Sequence, residues 1–138
     1  MIVVVIVTFS AEAAMLDACV ASVLRGGGAD KVIVVDNGGR ATVDAGVDLV
    51  RPARNIGFGG GANAGFRRAA DLGATAVALL NDDVEVEAGW LAPLIRALDD
   101  DPMLGAVQPK LLLAGTDPPR VNSVGVVVGP DGAGTDLG

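Results

Sequence analysis

The sequence predicts an α/β domain, a mostly parallel sheet with helices on both faces. Two observations carry that prediction. Apolar runs rich in Val and Ile alternate with segments of helical period, the pattern of strand–helix–strand units. Several of these runs stop abruptly on polar residues, at Thr8, Asp36 and Asn81. In right-handed parallel units such ends share one sheet edge, and open α/β sheets bind ligands at that edge.

Ile2 to Phe9 reads as a central buried strand, because it is nearly continuous in β-branched residues. Ser10 is placed to cap a helix from Ala11 to Arg25. Leu16, Val20, Val23 and Leu24 recur at helical spacing there, and Gly26-Gly27-Gly28 ends it. Lys31 to Val35 is the second strand and Val47 to Val50 a short third. A Gly-rich loop is expected from Asn55 to Gly61, followed by a helix to about Leu72 with Ala62, Phe66 and Ala70 on one face. Thr75 to Leu80 is the fourth strand, expected to be buried. A helix from Gly89 to Leu98 carries the stripe Leu91, Leu94, Ile95, Leu98, with Pro93 in its first turn. Asp99-Asp100-Asp101 at its end reads as solvated. Leu104 to Leu113, interrupted by Pro109, and Val121 to Val128 read as strands. Gly129-Pro130-Asp131-Gly132 is a turn, and the last residues read as a loop.

Composition narrows the function classes. At 138 residues the chain is one domain or a large part of one, and 51% hydrophobic content is ample for a core. Ten Lys and Arg stand against 17 Asp and Glu, a net charge of −7. Without a basic face, nucleic acid is excluded as a partner. The absence of histidine removes Ser-His and Cys-His mechanisms and imidazole metal sites from this chain. The one cysteine, Cys19, lies among Leu16, Val20 and Val23 and reads as a small buried hydrophobe. Met1 to Phe9 is too short for a membrane span and lacks a basic flank, so a cytoplasmic protein is expected.

Four polar constellations fall on the expected edge: Thr8 to Ser10, Asp36 and Asn37, Arg54 and Asn55, and Asn81-Asp82-Asp83. Asp36 either accepts hydrogen bonds from a ligand or supports a turn at Asn37-Gly38. Glycine holds five of the eleven positions from Asn55 to Gly65. It permits close backbone approach, and the helix start beyond offers N–H groups to an anion. Gly57 to Ala62 matches G-x-G-x-x-A, with Asp82 downstream. That fingerprint should open directly from a first strand, and here Pro52 to Ile56 intervene. Asn81, Asp82 and Asp83 are candidate ligands for magnesium or manganese shared with phosphate oxygens and water. A base-binding Asp36, a Gly-rich loop and a metal pair together suggest a nucleoside diphosphate.

These residues, taken in order, resemble the N-terminal half of a family 2 glycosyltransferase of the GT-A fold, which is Rossmann-like. Val34-Val35-Asp36-Asn37-Gly38-Gly39 resembles the family's V-V-D-N-G-S. Asn55-Ile56-Gly57-Phe58-Gly59 through Asn63-Ala64-Gly65 resembles N-x-G-F-x-x-x-x-N-x-G. Leu79-Leu80-Asn81-Asp82-Asp83 resembles its D-x-D segment, and Val4 to Phe9, Gly89-Trp90-Leu91 and Gln108-Pro109-Lys110-Leu111 also fit. The nearest likeness is to rhamnosyl- and galactofuranosyltransferases. The resemblance implies transfer with inversion from a UDP- or dTDP-sugar to a saccharide or lipid-linked acceptor, in cell-wall or polysaccharide biosynthesis, with Mg2+ or Mn2+. It places the enzyme in the cytoplasm or at the inner face of the membrane.

By the same resemblance, Asp36 would bind the base. Asp83 would hold the metal, with Asp82 or Asn81 at the ribose or a second metal position. Arg54, Asn55 and Asn63 would lie near the diphosphate or sugar, and Thr8, Phe9, Asn37 and Gly57 would line the donor site. Two departures stand out. Asn81 occupies the first D-x-D position, and no acidic E-D segment follows, since Asp117, Asp131 and Asp136 lack matching surroundings. Residues 1–138 are therefore expected to be the nucleotide-sugar-binding part of such a domain, incomplete at its C-terminus, with the catalytic base beyond Gly138. Exposed apolar segments at Leu111–Leu113 and Val124–Val128 are expected to favour self-association. The alternatives are a nucleotide-sugar-binding remnant without turnover, a nucleotidyltransferase and a redox dinucleotide enzyme. A nucleotidyltransferase would need a Gly-rich basic loop that Thr8 to Ala13 lacks.

Overall fold

The computed structural model describes residues 1–9 and 13–137. The chain divides into two compact units, Met1–Ala92 and Pro93–Gly138. In the first unit β1 (Ile2–Thr8), β2 (Lys31–Asp36), β3 (Asp48–Val50) and β4 (Ala76–Asn81) form one parallel sheet, ordered β3-β2-β1-β4. Helix α1 (Ala13–Gly26) connects β1 to β2, and α2 (Gly57–Asp71) connects β3 to β4. The expected cap of α1, Ser10, and the start at Ala11 lie outside the described residues.

The period of two in β1 and β2 sorts their side chains between two cores. Val4, Ile6, Val32 and Val34 pack with Leu16, Cys19, Val20 and Val23 of α1. Val3, Val5, Val7, Ile33 and Val35 pack with Ala62 and Ala69 of α2. The helices therefore cover opposite faces, the α/β architecture expected for a GT-A fold. Leu24 was expected on the apolar stripe of α1 but is exposed, because the buried arc is already filled by Leu16, Cys19, Val20 and Val23.

The largest correction concerns the glycine-rich segment. It is not a loop preceding a helix: α2 begins at Gly57 and contains Gly59, Gly60, Gly61 and Gly65. Its buried face is Gly61, Ala62, Gly65 and Ala69, while Phe66 and Ala70 are exposed. A Cβ on Gly65 would lie 2.3 Å from Val5 Cγ1, and one on Gly61 would lie 2.8 Å from Val7 Cγ1. The glycines let the helix backbone lie against β1.

β4 is an outer strand of its sheet and is half-exposed rather than buried, with Val77 open to solvent. The helix α3 (Leu91–Asp100) starts two residues later than expected and includes Asp99 and Asp100. In the second unit, the strand expected over Leu104–Leu113 shrinks to β5 (Leu111–Leu112), since Pro109 lacks the N–H a ladder needs. The strand expected over Val121–Val128 divides into β6 (Val121–Ser123) and β7 (Val126–Val128) at Gly125, whose φ is 146°. β5 pairs antiparallel with β6. The tail read as a loop instead contributes β8 (Gly134–Asp136), antiparallel to β7 across the turn at Gly129–Gly132.

Candidate functional site

The register of the parallel sheet brings its polar strand ends together. Thr8 is level with Asp36 across the β1–β2 pair, and Val7 is level with Asn81 across β1–β4. The Asn37 N–H donates to the Thr8 carbonyl at 2.8 Å, extending the ladder one residue past β2. A cleft of about 570 Å³ opens at this edge. Thr8, Phe9 and Asn37 line it from β1 and β2, Asn55 and Gly57 from the start of α2, and Asn81, Asp82 and Asp83 from the end of β4. Its volume suits a small-molecule ligand, for which pockets run roughly 300–1,000 Å³. Arg54 and Asn63 are exposed and do not line it.

Asp36 lines a neighbouring cavity of about 100 Å³ that shares Thr8 and Phe9 with the cleft. It is 2% exposed. Its Oδ1 accepts from the Gly38 N–H at 3.0 Å, the turn bond named above as one of its two readings. Its Oδ2 accepts from the Ala41 N–H at 2.8 Å and from Arg51 Nε at 3.1 Å. Burial opposes ionisation of this carboxyl. The Ala41 N–H, the Arg51 guanidinium and the N–H groups of Arg40 and Gly39 outweigh it and hold the pKa below the ordinary carboxylate value. The Arg51 guanidinium also bonds the Ala41 carbonyl. No local pattern in the sequence marks Arg51: it reaches Asp36 because Val35 is level with Val50, so the next residue on β3's side falls beside Asp36.

At the start of α2, Asn55 Oδ1 accepts from the Gly57 N–H at 2.8 Å. Asn37 Nδ2 donates to the Gly57 carbonyl at 3.0 Å. The two asparagines thus fasten the helix start to the end of β2. Ile56 stands at the N-cap and supplies no side-chain acceptor. The Gly57 N–H is thus taken by Asn55, and the N-cap side chain satisfies none of the N–H groups that follow it in the first turn.

The acid turn after β4 is the most strongly negative part of the cleft. Asp82 is half-buried, and Asn81 and Asp83 are exposed. Among the described residues neither carboxylate has an ion-pair partner; the ion pairs are Arg51–Asp36 and Arg68–Asp48. Asn81, Asp82 and Asp83 offer only hard oxygen donors, the set that suits magnesium or manganese. Among the described residues no three acidic or thiol side chains cluster as a complete cage. Such a cation would take its remaining ligands from phosphate oxygens and water, as magnesium commonly does. The residues present fit a shared cation of that kind. Cys19, beneath this turn, is fully buried. Burial pushes its thiol up to about 11, and the carboxylates of Asp82, Asp83 and Glu85 push the same way against a backbone bond at Val84. It stays a neutral thiol, as its apolar surroundings in the sequence indicated.

The family model described as glycosyl transferase family 2 matches residues 3–111, more than three quarters of the chain. A search of curated proteins finds no match. Because the family match starts on β1 and runs past the acid turn to Leu111, every cleft residue falls inside it, and the chain belongs to glycosyl transferase family 2.

Proposed function

We propose that the cleft binds the donor of a glycosyl transfer, a UDP- or dTDP-sugar, together with magnesium or manganese, and that the sugar passes with inversion to a saccharide or lipid-linked acceptor. The convergence of Asn81, Asp82 and Asp83 with Asn37, Asn55 and Gly57 around one cleft carries this reading. Asp83 and Asp82 hold the cation. Asn55 and Gly57, at the start of α2, face the diphosphate. Asp36, kept ionised by the Ala41 N–H and Arg51, accepts from the donor's pyrimidine base in the smaller cavity. The divalent ion, when bound, supplies positive charge against the departing diphosphate. The chain's own contribution is to orient the donor, since a near-attack geometry removes much of the entropic barrier. Inversion requires the acceptor hydroxyl to approach the anomeric carbon from the side opposite the diphosphate, with its proton taken by a base. We assign no residue of this chain to that base.

Calorimetric titration of UDP and dTDP into the chain, with manganese and with EDTA, tests the reading. Binding should be tighter with manganese than with EDTA, and Asp83→Ala should remove most of the metal-dependent gain. Loss of a charge-assisted contact costs on the order of 1.5–3 kcal/mol, about tenfold or more in affinity. Unchanged metal-dependent binding by Asp83→Ala would end the role given to Asp83. Tighter binding of NADH than of UDP would favour a dinucleotide site.

A further inference from the structure

The acid turn is held from below by one face of α1. Three bonds join them. The Cys19 Sγ–H donates to the Asn81 carbonyl at 3.5 Å. The Val86 N–H donates to Ser22 Oγ at 3.1 Å. The Gly89 N–H donates to the Gly26 carbonyl at 2.9 Å. Positions 19, 22 and 26 are spaced i, i+3 and i+7, one stripe of a helix. Their partners 81, 86 and 89 follow in the same order, so the segment runs along the helix like a strap. Asp82 and Asp83 sit between the first two rungs.

Ser22 is the unusual member of the stripe. It is a hydroxyl only 3% exposed in a helix whose other buried residues are apolar or thiol. Its own proton goes to the Cys19 carbonyl at 2.7 Å, which leaves its oxygen free to accept from Val86. Beyond the third rung, Trp90 packs against Gly26, where a Cβ would lie 3.0 Å from the indole Cδ1. Leu91 then enters the core shared with Leu16, Val20 and Val23. Both ends of the acid segment are thereby tied to α1. Two adjacent carboxylates repel, and an untied turn would relieve that repulsion by swinging them apart.

We propose that Ser22, with Cys19, is a positioning residue that holds the Asp82–Asp83 backbone in the geometry a divalent cation needs. This rests on the reading of the cleft as a metal-dependent donor site. The strap fixes the backbone that carries the two carboxylates before any ligand arrives, so that binding energy is not consumed in ordering the turn. Its effect belongs to the metal-dependent part of donor binding, not to nucleotide contacts made elsewhere in the cleft.

The test compares UDP affinity in manganese with that in EDTA for the full chain and for Ser22→Ala. Hydrogen exchange at the Val86 amide is measured alongside. Loss of one neutral hydrogen bond corresponds to about threefold to tenfold. Ser22→Ala should cut the manganese-dependent gain by about that factor, leave affinity in EDTA unchanged, and speed exchange at Val86 without speeding it in the Val3–Val7 stretch of β1. Should Ser22→Ala melt below the assay temperature, Cys19→Ala, which removes the rung at Asn81 together with some core packing, serves the same comparison. An unchanged manganese-dependent gain, or equal losses with and without manganese, would overturn the proposal. Failure of the unsubstituted chain to bind UDP with manganese would instead overturn the donor-site reading, and the strap's assigned role with it.

Discussion

At the scale of single residues, Asp36 shows how a turn residue and a candidate ligand residue can be the same group. The sequence placed a carboxylate at the end of a Val-rich strand and left two readings for it. The structure adds three donors, of which only Arg51 is a side chain. Arg51 is 48% exposed, so solvent weakens the ion pair, and Arg51→Ala should cost roughly 1 kcal/mol in urea denaturation. The pH dependence follows from the lowered pKa. Above the unfolded value, about 3.9, both states are ionised and Asp36's contribution is fully present. As the pH falls below that value the unfolded chain binds the proton first, and the contribution is lost on passing the folded pKa. The stability gap between the unsubstituted chain and Asp36→Asn should therefore be wide at pH 7 and narrow steadily below about pH 4. A gap that stayed constant to pH 3 would mean that folding does not lower this carboxyl's pKa.

At the scale of elements, α2 is where pattern and packing diverge. Periodicity led to Ala62, Phe66 and Ala70, since a hydrophobic stripe gives weight to large apolar side chains. Contact with β1 instead selects the residues that allow the nearest approach, Gly61, Ala62, Gly65 and Ala69. Two substitutions separate these demands. At Gly65 a new Cβ meets Val5 and Val35, and Gly65→Ala should destabilise by about 1–3 kcal/mol through overpacking. At Gly59 nothing lies within 4 Å of a new Cβ, and Gly59→Ala should stabilise by roughly 0.5–1 kcal/mol through helix propensity. Thermal and urea melts of both variants check the pair. Equal effects at the two positions would mean that α2 does not lie against the sheet as described. β4 teaches the same lesson in reverse. Its apolar run suggested full burial, but among the described residues only β1 pairs with it.

At the scale of the molecule, burial is concentrated in the first unit. β1 and β2 supply most of the fully buried side chains. In the unit from Pro93 to Gly138, Ser123 is the one buried residue among those described. Its hairpins leave Val124, Val126, Val127 and Val128 largely exposed. Amides of β1 and β2 should consequently exchange only through global opening, while those of β5 to β8 exchange through local opening and much faster. Native-state hydrogen exchange decides this, and equal protection in the two units would contradict the burial pattern. None of the helices among the described residues is long and apolar enough to cross a membrane.

The sequence by itself determined the α/β class, the order of the first four strands along the chain, and the polar residues at their ends. Those features follow from local chemistry: β-branched runs make strands, and a strand's C-terminal residue stays at its end whatever packs around it. The resemblance in Asp36-Asn37-Gly38, Asn55 to Gly65 and Asn81 to Asp83 likewise pointed to the family that the match over residues 3–111 establishes. Only the tertiary structure decided which face of α2 is buried, that Arg51 belongs to Asp36, and that Cys19 and Ser22 lie under the acid turn. These depend on residues 15 to 64 positions apart meeting across the sheet. A local pattern carries no information about which small residue or lone hydroxyl will face a distant backbone group, because that is settled by register and by how closely two elements can approach.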